Sequence, residues 1–225
     1  AEKLQVISNG ADLDRFNPQI DKQRVIKKHK LQGSVVVGFV GSFHYWHGVE
    51  NLTKLIEGTL ASQPNSRFLM VGEGGPMKPR LEAFIRDKGL QDRVILTGHI
   101  SHDQVPEYIS AMDIVLAPYP KLDFFYYSPV KVYEYLACGK PVVTTKIGQI
   151  SQVIQDKKNG FLCEPDDVNG MQERISELAA SPSLRVIIGE AAYQTIVEQH
   201  SWKKKAKQLS DICHQVLSNH KNGGN

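Results

Sequence analysis

The sequence predicts a doubly wound α/β domain, a single parallel sheet with helices on both faces. Three observations predict it. Short apolar runs recur along the chain and most are continuous, as strands buried on both faces require, rather than alternating as in a half-solvated sheet. Segments of helical period separate them, and a βαβα alternation kept up over 225 residues builds a parallel sheet. The composition, 41% apolar and 23% charged with a mean hydropathy of −0.31, is that of an ordinary globular chain and excludes disordered, collagen-like and membrane classes.

In chain order, strands are predicted at 5–8, 35–42, 67–71, 94–97, 114–117, 141–145 and 160–163, each an apolar run of strand length. Helices are predicted at 49–61, 76–88, 103–111, 129–138, 150–155, 168–180 and 184–199. Gly48 precedes the first of these, and Pro76 suits the first turn of the second. In the fourth, Ser128 suits the N-cap and Pro129 the N1 position. A last helix from about 202 to 218 carries Trp202, Ala206, Leu209, Ile212 and Val216 on one stripe and is expected to pack. Residues 219–225, rich in Gly and Asn, read as a frayed, disordered tail, leaving 1–218 as one domain without repeat or linker.

Charge and cysteine usage narrow the setting. The net charge of +3 is too mild for a nucleic-acid footprint, so no nucleic-acid partner is expected. The excess is local, with +4 in residues 201–225 and −1 before them. That cluster reads as a solvated helix face, or as a contact with an anionic membrane surface at about 1 kcal/mol per charge. Cys138, Cys163 and Cys213 are odd in number and lack metal-ligand spacing, which favours a reducing compartment. No apolar run approaches the roughly 18–20 residues of a membrane span, and Ala1-Glu2-Lys3-Leu4 lacks the features of a signal peptide. The expected location is cytoplasmic, with peripheral attachment at the inner membrane face as the variant.

In open α/β sheets ligands sit beyond the carboxyl ends of the strands, so the residues after each strand are the ones to inspect. Gly41-Ser42-Phe43-His44-Tyr45-Trp46-His47-Gly48 is a glycine-bracketed loop opening a helix, a geometry that aims N–H groups at an anion. It is not G-x-G-x-x-G, and no acidic residue follows at dinucleotide spacing. His47 reads either as a phosphate donor or as a structural histidine. Gly72-Glu73-Gly74-Gly75 permits close approach of a ligand to the main chain. After 94–97, the turn holding His99 and Ile100 suits a stacked base read by main-chain groups, or is a plain capped turn. The segment Tyr126-Tyr127-Ser128-Pro129-Val130-Lys131 opens a helix whose free N–H groups at Val130 and Lys131 suit a diphosphate. Glu134, one and a half turns on, suits the paired hydroxyls of a ribose. Its alternative, a surface charge, fits poorly beside the apolar Leu136-Ala137-Cys138.

Glu134-Tyr-Leu-Ala-Cys-Gly-Lys-Pro-Val-Val resembles the second half of the E-x7-E signature of family 4 retaining glycosyltransferases with the GT-B fold. The resemblance runs nearly end to end. Val6 to Phe16 is similar to the segment that opens the family's C-terminal domain. Gly38–Gly48, Val71–Gly74, Val94–Gly98 and Asn159–Leu162 follow as ordered blocks. It implies the donor-binding half of a transferase, with UDP or a UDP-sugar as partner and UDP-glucose first. No metal or other cofactor is needed, since fixed N–H dipoles and cations stabilise the departing diphosphate in a front-face reaction. It also implies a missing N-terminal acceptor domain, so the chain, which begins without Met, reads as an excised domain. The product would be a polysaccharide or glycolipid.

Two departures stand out. Tyr126 occupies the place of the first signature Glu, with Tyr127 or Asp123 as stand-ins for sugar contacts. Ser42 and His47 align with the family's phosphate-binding Arg and Lys, so His47 and Lys131 become the expected catalytic cations. If His47 titrates near pH 6.5, UDP affinity should fall between about pH 6 and pH 8. Rivals are a GDP-mannose-dependent mannosyltransferase, a UDP-sugar epimerase and a non-catalytic nucleotide-sensing module.

Overall fold

The computed structural model describes residues 4–125 and 128–222. Six strands, β1 (Val35–Val40), β2 (Ser66–Val71), β3 (Val94–Leu96), β4 (Ile114–Ala117), β5 (Val142–Thr145) and β6 (Phe161–Cys163), form one sheet in the order β3-β2-β1-β4-β5-β6. All neighbours are parallel, with Val37 opposite both Phe68 and Ile114. The helices are α1 (Gln23–Lys28), α2 (Val49–Ser62), α3 (Lys78–Asp87), α4 (Val105–Ser110), α5 (Val130–Ala137), α6 (Ile150–Val153), α7 (Val168–Ala180), α8 (Pro182–Thr195) and α9 (Trp202–Asn222). A 3-10 turn spans Tyr45–His47 and a π turn Ile196–His200.

The continuous apolar strands divide their side chains between two cores. Val37, Phe39, Phe68, Met70, Ile114 and Leu116 meet Leu52, Ile56, Leu81 and Ile175 from α2, α3 and α7. The intervening Val36, Leu69, Val71, Val115 and Ala117 meet Ile109, Tyr133 and Leu136 from α4 and α5. Each fully buried aliphatic side chain contributes about 1.5–3 kcal/mol, so both faces must be covered for the sheet to hold. Gly38 faces the second core, where the Met112 side chain occupies the space a Cβ would need. Side-chain caps start two helices: Asp167 accepts from Gly170 N at 2.9 Å ahead of α7, and Ser181 accepts from Leu184 N at 3.2 Å ahead of α8.

Several expectations are corrected. Residues 5–8 form no strand: they join neither edge of the sheet, β3 or β6, and are exposed at Gln5 and Val6 and half-buried at Ile7 and Ser8. Ala11 N donates to His200 O at 2.9 Å and Trp202 N to Ala11 O at 3.0 Å, which leaves Val6 exposed upstream. Helix α1 was not foreseen, since only Val25 of its six residues is buried and no apolar stripe marks it. The helix predicted at 184–199 starts two residues earlier and ends in the π turn. α3 begins at Lys78, beyond Pro76. The stripe of α9 does not pack: Trp202, Ala206, Leu209 and Val216 are exposed and Ile212 half-buried, while Ser201 and Lys205 take the buried edge against Gly10. Past its first turn no described element lies over that face. α9 continues to Asn222, four residues into the predicted tail; residues 223–225 lie outside the described residues. No described helix is long and apolar enough to cross a membrane.

Candidate functional site

Strand order reverses between β1 and β4, the position where crossovers run to opposite faces and open a crevice. The two strands are in register only at Val37–Ile114 and Gly38–Val115. Beyond them Val40 N, with no strand to donate to on that side, gives its hydrogen to Tyr135 Oη of α5 at 2.7 Å. Burial holds that phenol neutral, its pKa pushed far above the ordinary value.

One wall of the crevice is the turn after β1. Gly41 N donates to Val71 O at 2.8 Å, Phe43 N to Gly74 O at 2.9 Å and Met77 N to Phe43 O at 2.9 Å, so the turns after β1 and β2 are sewn together. Gly72, at φ 137°, lies against the Gly41 carbonyl, which a Cβ would overlap. Its glycine is therefore needed for the close packing of the two turns. Gly74 has open space on its side-chain side and fits the ligand-facing expectation better.

The opposite wall is the start of α5. Pro129 is its N-cap and Val130 its first residue, and no side chain caps it. This corrects the expectation of Ser128 as N-cap with Pro129 at N1. Ser128 is occupied elsewhere: its Oγ accepts from Asn9 N at 3.2 Å and donates to Tyr133 Oη at 3.2 Å, and its carbonyl accepts from Asn9 Nδ2 at 2.8 Å. Among the described residues nothing caps the N–H groups of Val130 and Lys131, at the positive end of the helix, where an anion is favoured. Tyr126 and Tyr127, expected to contact the donor, lie outside the described residues.

Lys131 reaches from this helix back under Gly41. Its stem is half-buried, but its Nζ is sealed from solvent and has no hydrogen-bond partner among the described residues. It lies 4.3 Å from the Phe39 ring centroid and 5.9 Å from that of Tyr119. Burial lowers its pKa from 10.5 to about 7, with Glu134 acting weakly in the opposite direction. An amine so placed is favoured in its charged form only if an anion comes beside it.

His47 departs from expectation in its electrostatics. Its Nδ1 is 2.7 Å from Ser42 O, so Nδ1 carries the proton and Nε2 is an acceptor in the neutral ring. Burial first, then the Lys131 charge, lower its pKa to about 4. In the free protein His47 is neutral at physiological pH, and the expected titration near 6.5 does not hold.

Glu134 is buried, at 8% exposure, and is no surface charge. Its Oε1 is 3.2 Å from His102 Nε2. Burial raises its pKa; the His102 hydrogen bond and charge oppose this, followed by Lys131 and Arg15. Of the predicted turn after β3, His99 is exposed and Ile100 half-buried against the core. The structure thus gathers Gly41, Ser42, His47, Lys131 and Glu134 around one crevice. Asn9 and Tyr135 were missed, and His102, which lies on the candidate turn after β3, was not paired with Glu134, because these contacts span 119, 95 and 32 residues and no local spacing announces them. Among the described residues no three His, Cys, Asp or Glu side chains converge as a metal site would require.

The comparisons agree with this geometry. The family described as "Glycosyl transferases group 1" matches residues 21–195. The chain is 29% identical over 164 residues to the N-acetyl-alpha-D-glucosaminyl L-malate synthase of Bacillus anthracis, covering 73% of this chain and 41% of that one. It is 24% identical over 214 residues to the GDP-mannose-dependent alpha-(1-6)-phosphatidylinositol monomannoside mannosyltransferase of Mycolicibacterium smegmatis, covering 93% and 56%. The Anabaena protein HepE, solved in complex with UDP-glucose, shares the fold at a TM-score of 0.80 and 22% identity, over 94% of this chain and 57% of that one. The chain spans about half the length of the curated relatives it matches. With most of its residues inside the family match, and with the crevice at the point where the strand order reverses, the chain belongs to the group 1 glycosyl transferases.

Proposed function

We propose that this chain is the donor-binding half of a retaining glycosyltransferase that uses a UDP-sugar, with UDP-glucose the first choice. The acceptor would be a saccharide or lipid-linked sugar held by a second domain. One observation carries the reading: Lys131 Nζ, sealed and without a hydrogen-bond partner among the described residues, set beside the start of α5, which no side chain caps. A diphosphate placed there gives Lys131 its missing counter-charge and takes the free N–H groups of Val130 and Lys131. As the anomeric C–O bond breaks, negative charge grows on the leaving diphosphate, and these fixed dipoles and the ammonium stabilise it without reorganising. His47, neutral and with its Nδ1–H on Ser42 O, would border the diphosphate without bringing it a charge. Glu134 would accept from the ribose hydroxyls, and Ile100 and His99 would border the base. No divalent metal is required in this scheme, since the cations are supplied by the chain.

The uridine choice is supported by the UDP-glucose bound to HepE; the GDP-mannose-dependent relative favours a second reading, a mannosyltransferase. A basic edge of α9, with Lys203, Lys204 and Lys207 exposed, suits peripheral contact with an anionic membrane from the cytoplasmic side. A thermal-shift panel of UDP, UDP-glucose, GDP, GDP-mannose and ATP tests the donor. A ligand at a hundred times its Kd stabilises by about 2.7 kcal/mol, so the true donor should raise Tm by several degrees. A panel in which none does so would defeat the donor-binding reading. A response to guanine nucleotides alone would favour the mannosyltransferase.

A further inference from the structure

Glu134 stands in an awkward place for an anion. It is buried, and burial favours its neutral form, which would offer a ribose one acceptor fewer and a competing donor. His102 is the one hydrogen-bond donor that the described residues give this carboxylate. It does not belong to the packed core: 61% of its side chain is exposed, and it forms the outer lip of the crevice. It is nonetheless held. Its ring rests against Phe16, with centroids 5.7 Å apart, and the next residue, Asp103, takes Arg15 Nη2 at 2.6 Å. Residues 15–16 and 102–103, far apart in sequence, thus close together over the carboxylate. The titratable and charged groups facing Glu134 are His102 from the turn after β3, Lys131 from its own helix and Arg15 from the segment before α1.

We propose that His102 is a positioning residue for nucleotide recognition, its Nε2–H fixed on Glu134 Oε1 so that Oε2 is left to receive the ribose hydroxyls. The proposal rests on the ribose-binding reading of Glu134. An ionised carboxylate only accepts, so Nε2 is the donor and the imidazole tautomer is set by the contact. Without it the Glu134 side chain would regain rotamer freedom and lose the hydrogen bond that favours its charged form. Selectivity for a hydroxylated ribose would then fall, while affinity for the diphosphate would not.

Calorimetry with two probes, UDP and 2′,3′-dideoxyuridine diphosphate, tests this on the wild type, His102→Ala, His102→Gln and Glu134→Gln. The wild type should prefer UDP. Glu134→Gln should abolish most of that preference. His102→Ala should lower UDP affinity roughly three- to tenfold and leave the dideoxy probe unchanged. His102→Gln, whose amide also donates, should recover most of the loss, and all variants should melt near the wild type. If Glu134→Gln abolishes the preference but His102→Ala leaves it intact, the positioning role is overturned and the ribose reading stands. Equal weakening toward both probes by His102→Ala overturns it too, since that marks a purely structural loss. A preference that survives Glu134→Gln overturns the ribose reading, and the proposal with it.

Discussion

Lys131→Met removes an ammonium while keeping the length and bulk of its stem, and it should make the free protein more stable and a poorer binder. The displacement of the Lys131 pKa from 10.5 to about 7 is the free-energy cost of keeping that charge out of water. At about 1.4 kcal/mol per pH unit it amounts to no more than roughly 5 kcal/mol. Between those two values the unfolded chain holds a proton that the folded one has released, so stability rises with pH across the window. The penalty is whole below about pH 7 and gone above about pH 10.5. The Met variant should therefore exceed the wild type in denaturant melts at about pH 6 and match it near pH 10. Binding has the opposite sign. A diphosphate beside the ammonium favours its charged form, so UDP-glucose, whose diphosphate stays ionised, should bind with proton uptake above pH 7. Wild-type affinity should be flat below about pH 6.5 and fall by up to about tenfold per pH unit from pH 7 to 9. The Met variant should bind roughly 10–100-fold more weakly at pH 6.5, with no slope. Calorimetry in buffers of different ionisation enthalpy counts the protons directly. A Met variant less stable than the wild type at pH 6, or one that keeps the wild-type slope, would refute the reasoning.

His47→Asn should keep that slope, because His47, at about 4, is neutral throughout the range; a slope lost in this variant would return the pH dependence to His47. EDTA should leave UDP-glucose affinity unchanged, and an affinity that collapses in EDTA and returns with Mg²⁺ or Mn²⁺ would contradict the metal-free scheme. Gly72→Ala should lower stability by about 1–3 kcal/mol for the strained backbone alone, and weaken donor binding by displacing Gly41; thermal melts and calorimetry read the two effects separately. Donor without an added second domain should be bound but not transferred, and radiolabelled sugar appearing on an acceptor with this chain alone would sink the two-domain requirement.

The sheet was legible because its signal is local. Val35–Val40 and Ile114–Ala117 are apolar over their whole length, and only strands buried on both faces read so. The segment at 5–8 failed: only Val6 and Ile7 of it are apolar, and whether a strand joins a sheet is decided by tertiary placement, which no window of sequence contains. The same holds for α9: its stripe from Trp202 to Val216 announces amphipathicity truthfully and says nothing of what covers it. In the site, Glu134 was found by its place in a helix with apolar neighbours. The protonation of His47 was not, because burial and the neighbouring Lys131 charge, each a tertiary fact, set it. Ser128 looked like a cap by type and position, yet Asn9, 119 residues away, claims its hydroxyl.

A sheet with apolar residues on both faces has a latent ambiguity. Sliding β1 by one residue would merely exchange which core receives each side chain, and hydrophobicity alone would hardly notice. Shape forbids the exchange. Met112 lies flat where Gly38 has no side chain, so a slipped strand would drive Val37 or Phe39 into the thioether and leave a hole on the other face. Overpacking of that kind costs about 1–3 kcal/mol, and an emptied Phe position about 3–5 kcal/mol. One residue without a side chain thus acts as the key of the alignment, and the misaligned sheet is excluded by steric mismatch where its polarity pattern would have let it pass.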